Sequence, residues 1–157
     1  MRKKVVAEEA RGERPVEGTF LDLETLASVE ISSEDPAHPI ESALVPGGGG
    51  GWRAGGPGPQ KVRILFDEAR RIRRVQLVFE ESRTERTQEF ALSWISAGEK
   101  AGRSLVRQQY TFSPGGATRE VEEYAFDLEG VAALELEIVP DISRGAAVAS
   151  LVSLRIA

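Results

Sequence analysis

Lys61-Val62-Arg63-Ile64-Leu65-Phe66 is the stretch on which the fold turns, because Val62, Ile64 and Phe66 alternate with Lys61 and Arg63. In an extended chain every second side chain points the same way, so this segment has one apolar and one polar face. The same period recurs on both sides of it. Val75, Leu77 and Phe79 alternate with Arg74 and Gln76, and Phe90, Leu92 and Trp94 with Glu89, Ala91 and Ser93. Leu134, Leu136 and Ile138 are separated by Glu135 and Glu137. Val29 and Ile31 open the series, and Leu154 and Ile156 close it. Tyr110 with Phe112 and Tyr124 with Phe126 suggest two more strands around the turn Ser113-Pro114-Gly115-Gly116, as a hairpin or else as a long loop. Helical pattern is scarce. Asp67 to Arg74 is short, lacks an apolar stripe and reads as a turn between strands. Pro39 to Leu44 can form a single helical turn, since proline suits the first turn of a helix. Roughly eight short strands joined by polar loops predict an all-β antiparallel β-sandwich of jelly-roll type.

The bulk numbers bound the function. A chain of 157 residues fits one domain. With 20 Lys+Arg against 25 Asp+Glu the net charge is −5, which argues against strong non-specific binding to nucleic acid. Cysteine is absent, so neither disulfides nor thiolate metal sites are available. The start, Met1-Arg2-Lys3-Lys4-Val5-Val6-Ala7-Glu8-Glu9, is basic, but acids follow only three apolar residues. An export signal needs roughly 7–15 apolar residues there. Residues 1–17 are therefore expected to be a flexible leader on a cytoplasmic protein, with the sandwich over 18–157. No segment has the length of a membrane span. Pro46 to Pro59 holds eight of the sixteen glycines around Trp52-Arg53-Ala54, and its run Gly47 to Gly51 reads as a floppy loop. No Lys-Ser or Lys-Thr follows it, as a phosphate-binding loop would require.

Catalytic groupings are missing from the sequence. His38 is the single histidine, and there is no Gly-x-Ser-x-Gly elbow. Glu80–Glu81 and Glu122–Glu123 are adjacent, so on a strand their carboxylates point to opposite faces. The expectation is a protein that is not an enzyme and needs no cofactor.

The order of the segments resembles the discoidin, or coagulation-factor type C, family of the galactose-binding-like superfamily. The resemblance runs from about Leu26 to Ala157. It is carried by Val29-Glu30-Ile31-Ser32-Ser33-Glu34, by Ile40-Glu41-Ser42-Ala43-Leu44, by Trp52-Arg53-Ala54 and by Val62 to Asp67. Ile72-Arg73-Arg74-Val75-Gln76-Leu77, Phe90 to Gly98 and Ser153-Leu154-Arg155-Ile156 complete it. The family's calcium-site acid has no counterpart in Val45-Pro46-Gly47-Gly48, so no metal is expected there.

The resemblance implies ligand binding by three loops at one end of the sandwich. These are Ser32 to Ile40 with Glu34, Asp35 and His38, Arg53 to Gln60, and Glu80 to Thr87 with Glu81, Arg83 and Arg86. Arginine offers a planar fork for carboxylates or paired hydroxyls. His38 either contacts ligand or decorates a turn, and Trp52 is either a plug under the sandwich or a stacking platform. The first expectation is a non-catalytic module with a protein partner. A glycan is the alternative partner, with Trp52 as its only aromatic platform, and an assembly role is the third.

Overall fold

The computed structural model describes residues 20–47 and 49–157, and the expected leader, 1–17, lies outside them. The described chain folds as two single-turn helices, α1 (Leu23–Leu26) and α2 (Glu41–Leu44), and eight strands. The strands are β1 (Ala27–Ile31), β2 (Trp52–Pro57), β3 (Gln60–Glu80), β4 (Arg86–Ser96), β5 (Arg103–Phe112), β6 (Arg119–Val139), β7 (Val148–Leu151) and β8 (Ser153–Ile156). All ladders are antiparallel. The architecture is an antiparallel β-sandwich.

Two strands of 21 residues, β3 and β6, run through both layers. The first half of β3 pairs with β1 through Val62–Phe66, and its second half pairs with β8 through Val75–Val78. The second half of β6 pairs with β4, which carries β5 at the outer edge. One layer is thus β1, β3, β6, β4 and β5, and the other is β8, β3 and β6. The layers meet through their apolar faces: the Phe79 and Phe90 rings lie 5.4 Å apart. Every alternating apolar set named from sequence on β3, β4, the second half of β6 and β8 is buried in this core.

Asp67 to Arg74 does not leave the strand as a turn. It stays in β3, but its register against β6 shifts between Leu65 and Arg70, between Arg70 and Ile72, and between Ile72 and Arg74. Unpaired residues in a ladder bend and twist it, and here they fold the ribbon from one layer into the other. The expected β5–β6 hairpin is also different. A turn closes from the Ser113 N–H to the Ala117 carbonyl (2.7 Å), yet β5 pairs with β4 while β6 starts beside β3. The chain there crosses between layers.

The glycine-rich stretch is more ordered than its composition implies. Trp52–Pro57 forms β2 against β7, two strands absent from the sequence reading. Gly51, at φ +86°, is where glycine is required, because a Cβ there would sit 2.5 Å from the Leu151 carbonyl oxygen. Gly51→Ala is expected to lower stability by roughly 2 kcal/mol through strain and backbone displacement, measured as a shift in the urea midpoint.

Candidate functional site

Because β3 doubles back, its first residue Gln60 and its last residue Glu80 emerge at the same end. Gln60 pairs with Ile138, which also pairs with Phe90 near the start of β4. Glu80 pairs with Arg119, and the Glu81 N–H donates to the Thr118 carbonyl. The three loops expected from sequence therefore do share one end of the sandwich, and each is held by specific bonds.

Four of the seven expected contact residues are engaged inside the protein. Gln60 is buried, and its side-chain oxygen accepts from the hydroxyls of Ser32 (2.5 Å) and Ser33 (2.7 Å). Glu34 accepts from the Ile40 N–H at 2.8 Å and so closes the first loop. Glu81 accepts from the N–H groups of Arg83 and Thr84 and from the Arg86 guanidinium. Burial pushes the Glu81 carboxyl up, but those donors outweigh it and hold it below the ordinary range. Arg86 is buried and donates to Glu81 (2.9 Å), to the Pro140 carbonyl (2.6 Å) and to Gln88, with its guanidinium over the Phe112 ring.

Arg53 and Arg83 are exposed, and His38 is half-buried. Arg53 belongs to β2 rather than to a loop. Its N–H donates to the His38 carbonyl and its carbonyl accepts from the Asp35 N–H, which ties β2 to the first loop. His38 Nδ1 lies 3.5 Å from the Asp35 carboxylate. The Asp35 carboxyl is held below its usual range, mainly by the Ala37 N–H against a small burial cost, with His38 and the Arg53 charge adding. Trp52 is 1% exposed and its indole N–H donates to the Ser33 carbonyl at 3.1 Å. It is the plug and not a platform.

The arginines from 70 to 74 are partly spent on strand pairing, Arg71 with Asp127 and Arg74 with Glu123. Among the described residues no three His, Asp or Glu side chains are grouped to hold a metal ion, and no helix is long and apolar enough to cross a membrane.

What the sequence reading missed is a fourth loop, 140–147, after β6. Its turn is closed by Asp141, which accepts from the Ser143 N–H and hydroxyl, and its Ile142 N–H donates to the Thr87 carbonyl. Between this loop and the Gly58-Pro59 turn lies a groove of about 480 Å³. Pro59, Val139, Pro140 and Ile142 give it apolar walls, and Glu89, Asp141 and Arg144 bring charge. Ile142 is 46% exposed and stands beside Pro59, Val139 and Pro140 in the apolar wall of the groove. The run Pro140-Asp141-Ile142-Ser143-Arg144-Gly145 carries turn residues that could have drawn attention to it.

Comparisons with known proteins bear on the fold. No family model matches the chain, and no curated protein matches it. Among solved structures it is similar to the family 32 carbohydrate-binding module of AlyQ in complex with 4,5-unsaturated mannuronic acid, with a TM-score of 0.61 at 17% identity over 84% of this chain and 95% of that one. It is also similar to the family 32 module of NanJ from C. perfringens in complex with galactose, with a TM-score of 0.61 at 13% identity over 83% and 92%. A third is the chitosan-binding module 1 of a chitosanase/glucanase from Paenibacillus sp. IK-5, with a TM-score of 0.57 at 14% identity over 86% and 97%. These modules share the galactose-binding-like, discoidin-like fold, so the resemblance seen in the sequence holds at the level of the fold.

Proposed function

We propose that this chain is a non-catalytic carbohydrate-binding module that holds its glycan in the groove between the Gly58-Pro59 turn and the loop 140–147. The observation that carries the reading is the groove itself. It has apolar walls to meet the C–H face of a sugar and the Arg144 guanidinium to meet its hydroxyls, and its volume falls within the roughly 300–1,000 Å³ of small-ligand sites. The module complexes with mannuronic acid and galactose support this order of readings, ahead of the protein partner first expected. The burial of Trp52 removes the stacking platform that a glycan module was expected to need, and exposed Ile142 offers only aliphatic contact with the sugar face in its place.

The test is a glycan array followed by titration calorimetry with the oligosaccharides retained. Ile142→Asp places a charge in the apolar wall and is expected to weaken binding at least ~10-fold, about 1.4 kcal/mol, with the melting temperature unchanged because the side chain is exposed. An array on which nothing binds, or equal binding by the variant, sinks the proposal.

A further inference from the structure

We infer that the glycan held at this end is acidic, bearing carboxylate or sulfate groups, and that Arg53, Arg83 and Arg144 read its charge. The inference rests on the glycan reading above and specifies its ligand class.

The argument comes from the state of the charges at this end. Most surface arginines are paired with acids: Arg63 with Glu135 and Arg103 with Glu99 away from this end, and Arg107 with Glu89 and Arg119 with Glu80 at it. Arg53, Arg83 and Arg144 are exposed and have no carboxylate within 4.0 Å among the described residues. Asp35 feels the charge of Arg53 but stays beyond pairing distance. Near the bend of β3, exposed Arg73 and half-buried Arg70 also have no carboxylate within 4.0 Å among the described residues, with Asp67 and Glu68 close by in the chain.

The acids at the loop end are in the opposite condition, engaged by N–H, hydroxyl or guanidinium donors of the protein. Glu34 holds the Ile40 N–H, Asp35 the Ala37 N–H, Glu81 the N–H groups of its own loop, and Asp141 the Ser143 N–H. Glu89, inside the groove, is held by Arg107 and Gln109. The Asp141 carboxyl is kept below its ordinary range, first by the Ser143 hydroxyl and then by the Ser143 N–H. Only Glu85 is an exposed acid in these loops with no partner among the described residues. A carboxylate whose lone pairs are engaged offers little to a ligand, while an unpaired guanidinium keeps all five donors and its charge.

The segments that carry the three arginines are bonded to one another. Arg53 pairs with Ser150 of β7, and Ala147, the residue just before that strand, accepts from the Gly58 N–H through its carbonyl and lines the groove with Arg144. The loop of Arg83 abuts the loop of Arg144 through the Arg86 bond to the Pro140 carbonyl and the Ile142 bond to the Thr87 carbonyl. An extended anionic chain lying across the groove would meet all three, with a neutral sugar face on Ile142 and Pro59.

The experiment measures binding of the full chain to three oligosaccharide sets: uronate-containing, sulfated and neutral. Each is run at about 25 mM and about 500 mM salt, with the R53Q/R83Q/R144Q variant alongside. The expected result is at least ~10-fold tighter binding of one or both acidic sets at low salt, largely lost at high salt. The variant should lose that preference, keep residual affinity for sugar, and melt at the unchanged temperature. Binding confined to one acidic set would name carboxylate or sulfate as the group read. Equal or better binding of the neutral set, or a preference that survives in the variant, would overturn the acidic assignment and leave the glycan reading standing. Failure of all three sets would remove both.

Discussion

Arg86→Met is expected to cost about 3–5 kcal/mol of folding stability, the range for removing one partner of a buried ion pair. The side chain is 2% exposed and bonds three separate groups: Glu81 on the loop after β3, Gln88 on its own strand, and the Pro140 carbonyl at the end of β6. Its guanidinium also lies 4.9 Å from the centroid of the Phe112 ring, at the end of β5. One planar fork therefore fastens two loops and three strand ends. Methionine keeps much of the packing volume but leaves the Pro140 carbonyl and one Glu81 carboxyl oxygen without the Arg86 donor, and unmet acceptors with little access to water are what make such losses large. Arg86→Lys keeps the charge but has no planar fork to reach all three acceptors, so it should fall between wild type and Arg86→Met. Urea midpoints of the three proteins check the order. A midpoint for Arg86→Met within experimental error of wild type would show that the network carries no stability.

This arginine also shows where reading the sequence stops. Residues at fixed alternation, such as Val62, Ile64 and Phe66 or Phe90, Leu92 and Trp94, disclose their inward face because the period of a strand is a local property. Arg86 continues the inward set of β4 with Gln88 and Phe90, yet a charged residue at an inward position gives no local sign that a carbonyl 54 residues away will take its proton donors. Gln60 and Glu81 looked like ligand contacts for the same reason. Position placed them at the loop end, and only the fold supplies Ser32, Ser33 and Arg86 as their partners. β7 has four residues and β2 contains two glycines, so neither shows a period long enough to read. The bend in β3 was hidden differently. Asp67-Glu68-Ala69-Arg70-Arg71 breaks the alternation as a turn would, and a strand with extra residues against its partner gives the same interruption. The loop 140–147 escaped because it has no alternation and no counterpart among the segments that carried the family resemblance. The exposure of Ile142 on which the proposed site draws is a property of the folded surface.

The second large effect concerns an acid pair that adjacency arguments could not find. Glu120 and Glu122 are two residues apart on β6, so they share the face turned toward the sandwich interior. Glu120 is 2% exposed; one carboxyl oxygen accepts from the Gln88 amide at 3.3 Å, and the other has no partner among the described residues. Glu122 accepts from the Tyr124 hydroxyl at 3.0 Å. Burial first, and then the neighbouring Glu122, push the Glu120 carboxyl up to about 8, against the smaller pull of Gln88. The Tyr124 hydroxyl is likewise shifted upward, by burial and then by Glu122. Near neutral pH the folded protein thus keeps a proton on Glu120 that the unfolded chain releases above about 4.5. Folding then binds a proton, and stability from this group falls as pH rises from about 4.5 to about 8 and levels off beyond. The shifted acids at the loop end, Asp35, Glu81 and Asp141, act in a separate window, losing stability only as pH falls through their lowered values. Glu120→Gln keeps shape and hydrogen bonding without an ionisable group, so it should be more stable than wild type by roughly 2–4 kcal/mol at pH 9 and nearly equal to it at pH 4.5. Urea midpoints across that range decide the matter. Parallel pH profiles for the two proteins would mean that Glu120 is ionised in the folded state, with its charge answered by the fold.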